Sequence, residues 1–472
     1  MIRVRNFCLV SCLLLTQAAL AQQALPVPVQ SALNFRNVPD HTLSAYVESL
    51  DSGEVVLSWN EGELRNPASV EKMLTTLVAL DTLGPAYTWK TDVHMLGEIE
   101  DGVLDGDLLL KGHGDPYLVT ERFWQLLRRL RQTGVTEING NLLIDDSHFD
   151  IGSYDPAAFD REPLRAYNVA PNAMLTNFKV VRYHFAPDPA NSRVDVQIDP
   201  ALENLGIVNR LRVTSGACRG YQRGITITQN EDVNRITFSG RFPSGCEHYS
   251  MSRTALSHNE FTYGLFKSLW QESGGRFTGA WKNTVVQNDL EPAFSFDSLP
   301  LADIIAKVNK HSNNVMARQL LYTLGAEVFG PPGTEAAGRE VVRRWLTDRG
   351  MEFAELRLDN GAGLSRESRM TARQLAGLLR YAYDSAFMPE YLSSLSLPGL
   401  DGTLSRRFRD GVLTGSAHMK TGSLDHVSSI AGYFQARSGN RYIVVTLHNH
   451  TDIHRGPGEE VQEALLRWLY EK

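Results

Sequence analysis

Three short groups of residues in this chain could do chemistry together. The first is Ser69-Val70-Glu71-Lys72, at the head of an apolar-striped segment. On a helix the i, i+3 spacing sets the Ser69 hydroxyl and the Lys72 amine on one face. A serine hydroxyl is a poor nucleophile until a base stands beside it, and a lysine serves once desolvation or a neighbouring cation lowers its pKa. Backbone N–H groups at a helix start also point toward the place an attacked carbonyl oxygen would occupy. The second group is Ser312-Asn313-Asn314, a hydroxyl that could pass a proton to a departing amine and an amide that could hold a substrate peptide. The third is Lys420-Thr421-Gly422. It offers a positive charge and a hydroxyl for an anionic carboxylate, and a glycine that lets a substrate backbone come close. Alone, each group has a bland explanation: a solvated helix face, a helix cap, or an edge lysine beside a bulge.

These groups need elements to position them. Leu43–Leu50 and Glu54–Trp59 are expected strands, joined by a hairpin at Asp51-Ser52-Gly53. Asn66-Pro67-Ala68 breaks the chain before a helix from Ser69 to Leu83, striped by Val70, Met73, Leu74, Leu77 and Val78 and stopped by Gly84-Pro85. From about Thr91, short β-rich pieces alternate with helices expected at Arg122–Gln132 and Glu260–Ser273. After Pro292 helices dominate, at Leu301–Lys310, Asn314–Val328, Glu335–Arg349 and Thr371–Asp384. Strands return at Ala417–Leu424, Ser428–Arg437 and Arg441–His448, before a closing amphipathic helix carrying Val461, Ala464, Leu465, Trp468 and Leu469. Residues 22–92 and 290–472 are therefore expected to form one discontinuous α/β domain. Residues 93–289 are expected as a β-rich insertion of two subdomains.

The first 21 residues indicate export. Arg3 and Arg5 precede an apolar run from Phe7 to Leu15, and Ala19-Leu20-Ala21 supplies a small-residue cleavage site. Leu9-Val10-Ser11-Cys12 resembles a lipoprotein signal, but the apolar residues continue past Cys12, which favours ordinary cleavage after Ala21 and a periplasmic protein. Cleavage moves the formal charge from −7 to −9, which argues against nucleic acid as a partner. No other stretch is long enough to span a bilayer, so no transmembrane anchor is expected in the mature chain, and at most a peripheral membrane association. Gln22–Val29 is expected as a flexible leader. Cys8 and Cys12 leave with the signal, so Cys218 and Cys246 are expected to pair as a structural disulfide in an oxidising compartment. His448, His450 and His454 invite a metal reading, but alternation on a strand makes the first two ordinary polar residues, and no metal site is expected. The chain has no Gly-x-Ser-x-Gly elbow, His-Glu-x-x-His pair or phosphate loop.

The three groups, in this order on a helix start, an inter-helix turn and a late strand, are the set carried by penicillin-binding proteins and class A β-lactamases. Over nearly its whole mature length the chain resembles the D-alanyl-D-alanine carboxypeptidase/endopeptidase family of class C low-molecular-mass penicillin-binding proteins. The resemblance also rests on the long stretch between Lys72 and Ser312, on Asp359-Asn360-Gly361-Ala362-Gly363-Leu364-Ser365-Arg366, and on Leu400-Asp401-Gly402-Thr403-Leu404. It implies an α/β fold with a penicillin-binding-protein/β-lactamase-like transpeptidase domain, an antiparallel sheet with helices, carrying a large inserted β-rich region. It implies that Ser69 is acylated with Lys72 as its proton partner, and that Ser312 and Asn314 fill the first and third positions of the second motif. Lys420 then faces the terminal carboxylate of the substrate, on a strand continued by Thr421, Gly422 and Ser423, and the backbone N–H groups of Ser69 and Ser423 form an oxyanion hole. The reaction implied is acyl transfer from peptidoglycan stem peptides, with loss of the terminal D-Ala, and the same cut made in cross-links. β-Lactams would acylate Ser69, and no cofactor is needed. A serine β-lactamase shares the motifs, although an insertion of this length is large for a compact hydrolase. A non-catalytic cell-wall binding protein with a vestigial site is the other alternative, which intact motifs disfavour.

Overall fold

The computed structural model describes residues 24–472, apart from 220–223, 230–233, 287–289, 352, 354 and 410. The expected signal peptide, residues 1–21, lies outside the described residues.

A five-stranded antiparallel sheet joins the two ends of the chain. Its order is Ala417–Leu424, Val427–Gln435, Arg441–Asn449, Leu43–Ser49 and Val55–Trp59. Leu43 pairs with His448 and Ser49 with Tyr442, so the first strand completes a sheet whose other half is encoded almost 400 positions later. Successive side chains point to opposite faces, and here both faces are covered. Val444 and Ile430 pack under the helices Val27–Phe35 and Pro457–Tyr470. Ile443, Val445 and Ala431 pack against the helices Lys72–Leu83, Leu301–His311, Asn314–Phe329 and Ala372–Asp384. Burial on both faces explains why Ile443-Val444-Val445 is continuously apolar rather than alternating. The helices expected after Pro292 are all present, as is the closing one. Leu465, Leu466 and Leu469 of that last helix are buried, each contributing roughly 2 kcal/mol.

The expected flexible leader is a correction. Gln22 and Gln23 lie outside the described residues, but Leu25 and Val29 are buried and Val27–Phe35 is a helix. Val29 and Leu33, one turn apart, form a stripe against the closing helix. Pro26 and Pro28 sit before and within the first turn, where the missing N–H costs nothing.

All other sheets come from residues between Lys90 and Asp297. Lys90–Glu100 pairs with both Val103–Gly112 and Phe294–Asp297 in a seven-stranded sheet. That pairing carries the sheet past the expected limits of 93 and 289 at both ends. The helices Thr120–Gln132 and His258–Glu272 pack on it, and their cluster continues through Phe185, Phe238 and Phe242 of two three-stranded sheets. Cys218 and Cys246 form a disulfide. It follows the parallel strands Gly206–Ala217 and Arg235–Gly245 and ties their ends together.

Candidate active site

Ser69 does not begin an α-helix. Ala68–Glu71 is a 3₁₀ turn and the α-helix starts at Lys72. Ala68 is left-handed (φ 48°), its N–H donating to Asn66 Oδ1 at 2.9 Å. The tighter turn still brings the two side chains together, with Lys72 Nζ 2.9 Å from Ser69 Oγ. Ser69 is half-buried, whereas Lys72 is 0 % exposed. The amine donates to Asn314 Oδ1 at 2.6 Å and to the Ala362 carbonyl. Those two acceptors consume two N–H bonds, so a neutral amine directs its lone pair at the Ser69 hydroxyl. Burial favours that neutral form. It holds the Lys72 pKa well below the usual lysine value, and the charges of Lys420 and Arg318 push the same way, against Glu71.

A second serine–lysine pair stands opposite. Lys420 Nζ donates to Ser312 Oγ at 2.9 Å and to the Thr421 carbonyl at 2.7 Å. Burial lowers its pKa to about 7. Ser312 is left-handed (φ 54°), closing the helix Leu301–His311 just before the next begins. Asn313, between the two site residues, caps that next helix by accepting from the Met316 N–H. Capping and chemistry thus divide within one tripeptide. The cap fixes the start of the helix, and with it Asn314.

The Lys420 strand runs past the turn that bears Ser69, and Gly422 marks the contact. A Cβ at Gly422 would lie 2.5 Å from the Pro67 carbonyl oxygen and 3.1 Å from the Ser69 nitrogen. The chain that comes close to this glycine is the protein's own turn. Gly422→Ala is expected to push strand and turn apart, and misplacement of that size costs about 10²-fold in catalysis. Stopped-flow acylation by a chromogenic β-lactam would measure it, and an unchanged rate in a folded variant would refute the assigned contact. Thr421 donates to or accepts from Thr403 Oγ1 at 2.7 Å, which brings the loop around Gly402–Leu404 to the end of the site. Asp401 in that loop is paired with Lys310. Ser423 is exposed and lines a cavity of about 400 Å³ together with Ser69, Ser312 and Asn314. A larger groove of about 820 Å³, beside Val342, Leu346 and Met351, contains none of these groups.

Sequence reasoning missed the opposite wall. Phe159, Asp160 and Tyr167 line the cavity from the region between the first two motifs. They are held by Arg318, one turn beyond Asn314, whose guanidinium donates to Tyr154 Oη at 2.8 Å and to the Val169 carbonyl at 2.9 Å. Gln319 exchanges hydrogen bonds with the Asn172 backbone. A buried Arg-Gln pair inside an otherwise apolar helix was the available signal. Arg366 also lines the cavity, stacking over the Phe159 ring and donating to the Asp425 carbonyl.

The three histidines raised as metal candidates do not assemble. His448 is buried and bonded to Thr42 Oγ1 at 3.0 Å, and burial pushes its pKa down to about 3. His454 instead meets His426 and Asp452, with potential ligand atoms within 4.8 Å of one another. His454 Nδ1 accepts the His426 N–H, and His426 Nδ1 accepts the Asp452 N–H. In neutral rings those bonds leave the proton on Nε2, so neither outer nitrogen has a lone pair for a cation.

Comparison with known proteins bears on this geometry. A family model described as the D-Ala-D-Ala carboxypeptidase 3 (S13) family matches residues 28–472. A D-alanyl-D-alanine carboxypeptidase of Actinomadura sp. (strain R39) is 27% identical over 447 residues, covering 89% of this chain and 79% of its own length. The D-alanyl-D-alanine carboxypeptidase DacB of Haemophilus influenzae is 22% identical over 409 residues, covering 85% and 84%. The crystal structure of penicillin binding protein 4 (dacB) from Haemophilus influenzae superposes with a TM-score of 0.80 at 21% identity, covering 94% of this chain and 99% of that one. A predatory endopeptidase of Bdellovibrio bacteriovorus, Bd0816, shares the fold at a TM-score of 0.56 and 16% identity, covering 90% and 92%.

Proposed function

Because the chain belongs to the D-Ala-D-Ala carboxypeptidase 3 (S13) family, we propose that it removes the terminal D-Ala from peptidoglycan stem peptides through an acyl-enzyme at Ser69, and cuts cross-links by the same chemistry. The observation that carries this reading is Lys72 Nζ at 2.9 Å from Ser69 Oγ, with two of its hydrogens donated to Asn314 Oδ1 and the Ala362 carbonyl. Neutral Lys72 takes the hydroxyl proton as Ser69 attacks the carbonyl of the penultimate D-Ala. The backbone N–H groups of Ser69 and Ser423 receive the developing oxyanion. Ser312, bonded to Lys420, relays the proton that Lys72 took to the departing amine, which returns Lys72 to the neutral amine, while Lys420 and Thr421 supply the polar end for the terminal carboxylate. Water then repeats the sequence on the acyl-enzyme. A β-lactam enters the first half of this path and stalls in the second.

The endopeptidase reaction, export with cleavage after Ala21, and any peripheral membrane association belong to the same proposal. No helix among the described residues is long and apolar enough to cross a membrane. We also propose the division into a catalytic domain of residues 22–92 and 290–472 and an insertion of 93–289, with the limits carried to Lys90 and Asp297 by the seven-stranded sheet, supported by the five-stranded sheet drawing only on the chain ends.

The test is incubation of the purified protein with monomeric and cross-linked muropeptides, with products identified by mass, beside labelling by penicillin and mapping of the adduct. Release of D-Ala, cleavage of cross-links and a stable adduct on Ser69 are expected. Neither product forming would overturn the reading, and rapid penicillin turnover without an adduct would make the protein a β-lactamase.

A further inference from the structure

Glu71 is the one ionisable residue of the first motif for which the proposed reaction has no use, yet it is 0 % exposed. Its Oε1 accepts the Gly363 N–H at 3.0 Å. Its Oε2 has no partner in hydrogen-bonding geometry among the described residues, although the equally buried Ser368 hydroxyl is near enough to draw the carboxyl's pKa down. A buried carboxylate with half its acceptors unfilled is costly, so the fold tolerates it only where something compensates.

The residue it holds is part of the wall behind Lys72. Gly363 is left-handed (φ 68°), and a Cβ there would lie 1.9 Å from the Ala68 carbonyl oxygen and 3.1 Å from Glu71 Cβ. The loop therefore rests directly on the turn that bears Ser69. The preceding residue, Ala362, gives its carbonyl to Lys72 Nζ. Thr75 bonds the Gly361 carbonyl at 2.7 Å, Asn66 bonds the Ser365 carbonyl at 2.8 Å, and Asn360 bonds the Ala362 N–H at 3.0 Å. Besides Lys72 itself, Glu71 provides the one of these loop contacts that can change charge.

We propose that Glu71 is a positioning residue that holds the Ala362 carbonyl on Lys72 through Gly363, and whose ionisation sets the pH at which Lys72 becomes a free amine. The charged groups facing the pair come from every side: Asp359 from the loop, Arg318 from the Asn314 helix and Lys420 from the strand. Burial raises the Glu71 carboxyl to about 7, opposed by the Ser368 and Gly363 contacts and by Lys72, with Asp359 adding to the rise. Ionised Glu71 favours the ammonium form of Lys72. Protonated Glu71 removes that support and lets the amine lose its proton at lower pH. On the acid side, where Glu71 is protonated, the Lys72 pKa is therefore set by burial and the neighbouring cations without the opposing carboxylate.

This rests on the Ser69–Lys72 reading, so the experiment reads the rate of covalent labelling by penicillin as a function of pH in the full protein. Glu71→Gln keeps an acceptor for the Gly363 N–H but removes the charge. Gln stands in for the protonated carboxyl, so its profile is expected to meet that of the unmodified protein at the acid foot and to run ahead of it, by up to about 10-fold, above the pH at which Glu71 ionises. Glu71→Ala loses the acceptor and is expected to lower the plateau rate by about 10-fold or more, most of which Gln restores. A Glu71→Gln profile that superimposes on the unmodified one, or a plateau as low as that of the alanine variant, would overturn the inference. Should Glu71→Ala fail to fold, the isosteric Gln variant still decides through its pH profile. If the unmodified protein is never labelled, it is the acyl-enzyme proposal that falls.

Discussion

Ser69→Ala is expected to abolish D-Ala release and covalent capture of penicillin together, with a fall on the order of 10⁴-fold or more in kcat. The substitution removes one hydroxyl from a half-buried position, and Lys72 keeps its bonds to Asn314 and Ala362. The fold should therefore survive, which circular dichroism would verify. The outcome matters because the site holds two serine–lysine pairs with equal 2.9 Å separations. If Ser69→Ala still carried a penicillin adduct, Ser312 with Lys420 would be the attacking pair and the assignment of roles would reverse.

Lys72→Ala should come next, with a loss of about 10³-fold in kcat/KM, within the range a positioned general base supplies. Because Ser69 and Lys72 act as a unit, the double variant should be no slower than Ser69→Ala alone. The pH dependence follows from the direction of the Lys72 shift. Its pKa is lowered by burial, so the neutral, reactive form is reached well below the usual lysine range and activity should rise with pH through that lowered value. An acid limb near the ordinary lysine pKa in the unmodified enzyme would mean that Lys72 is not the base. So would a limb unchanged by Lys72→Arg in a variant that retains activity.

Several contacts around these residues were invisible along the chain. Asn66, Glu71 and Thr75 look like unrelated polar residues around one turn, yet all three bond the backbone of residues 361–365. Arg318 and Gln319 looked like a polar interruption of a helix, but they hold the segment that forms the far wall of the cavity. Gly422 was legible as a close approach, but not what approaches it. Gln22–Val29 reads as a leader because its apolar residues find their partners only in distant segments such as the closing helix.

What the sequence by itself determined was the set of local devices: the serine–lysine spacing, the tripeptide between two helices, the Lys-Thr-Gly strand and the pairing of the only two cysteines left after the signal. These depend on hydrogen bonds and periodicities that span a few residues, so they can be read from a few residues. What only the tertiary structure decided was the state of the chemistry. Lys72 is aimed because Asn314 and Ala362, 242 and 290 positions away, take two of its hydrogens, and burial favours its neutral form by holding its pKa well below the usual lysine value. Desolvation and the direction of a lone pair belong to everything that surrounds an atom, and no stretch of chain short enough to carry a motif contains those surroundings.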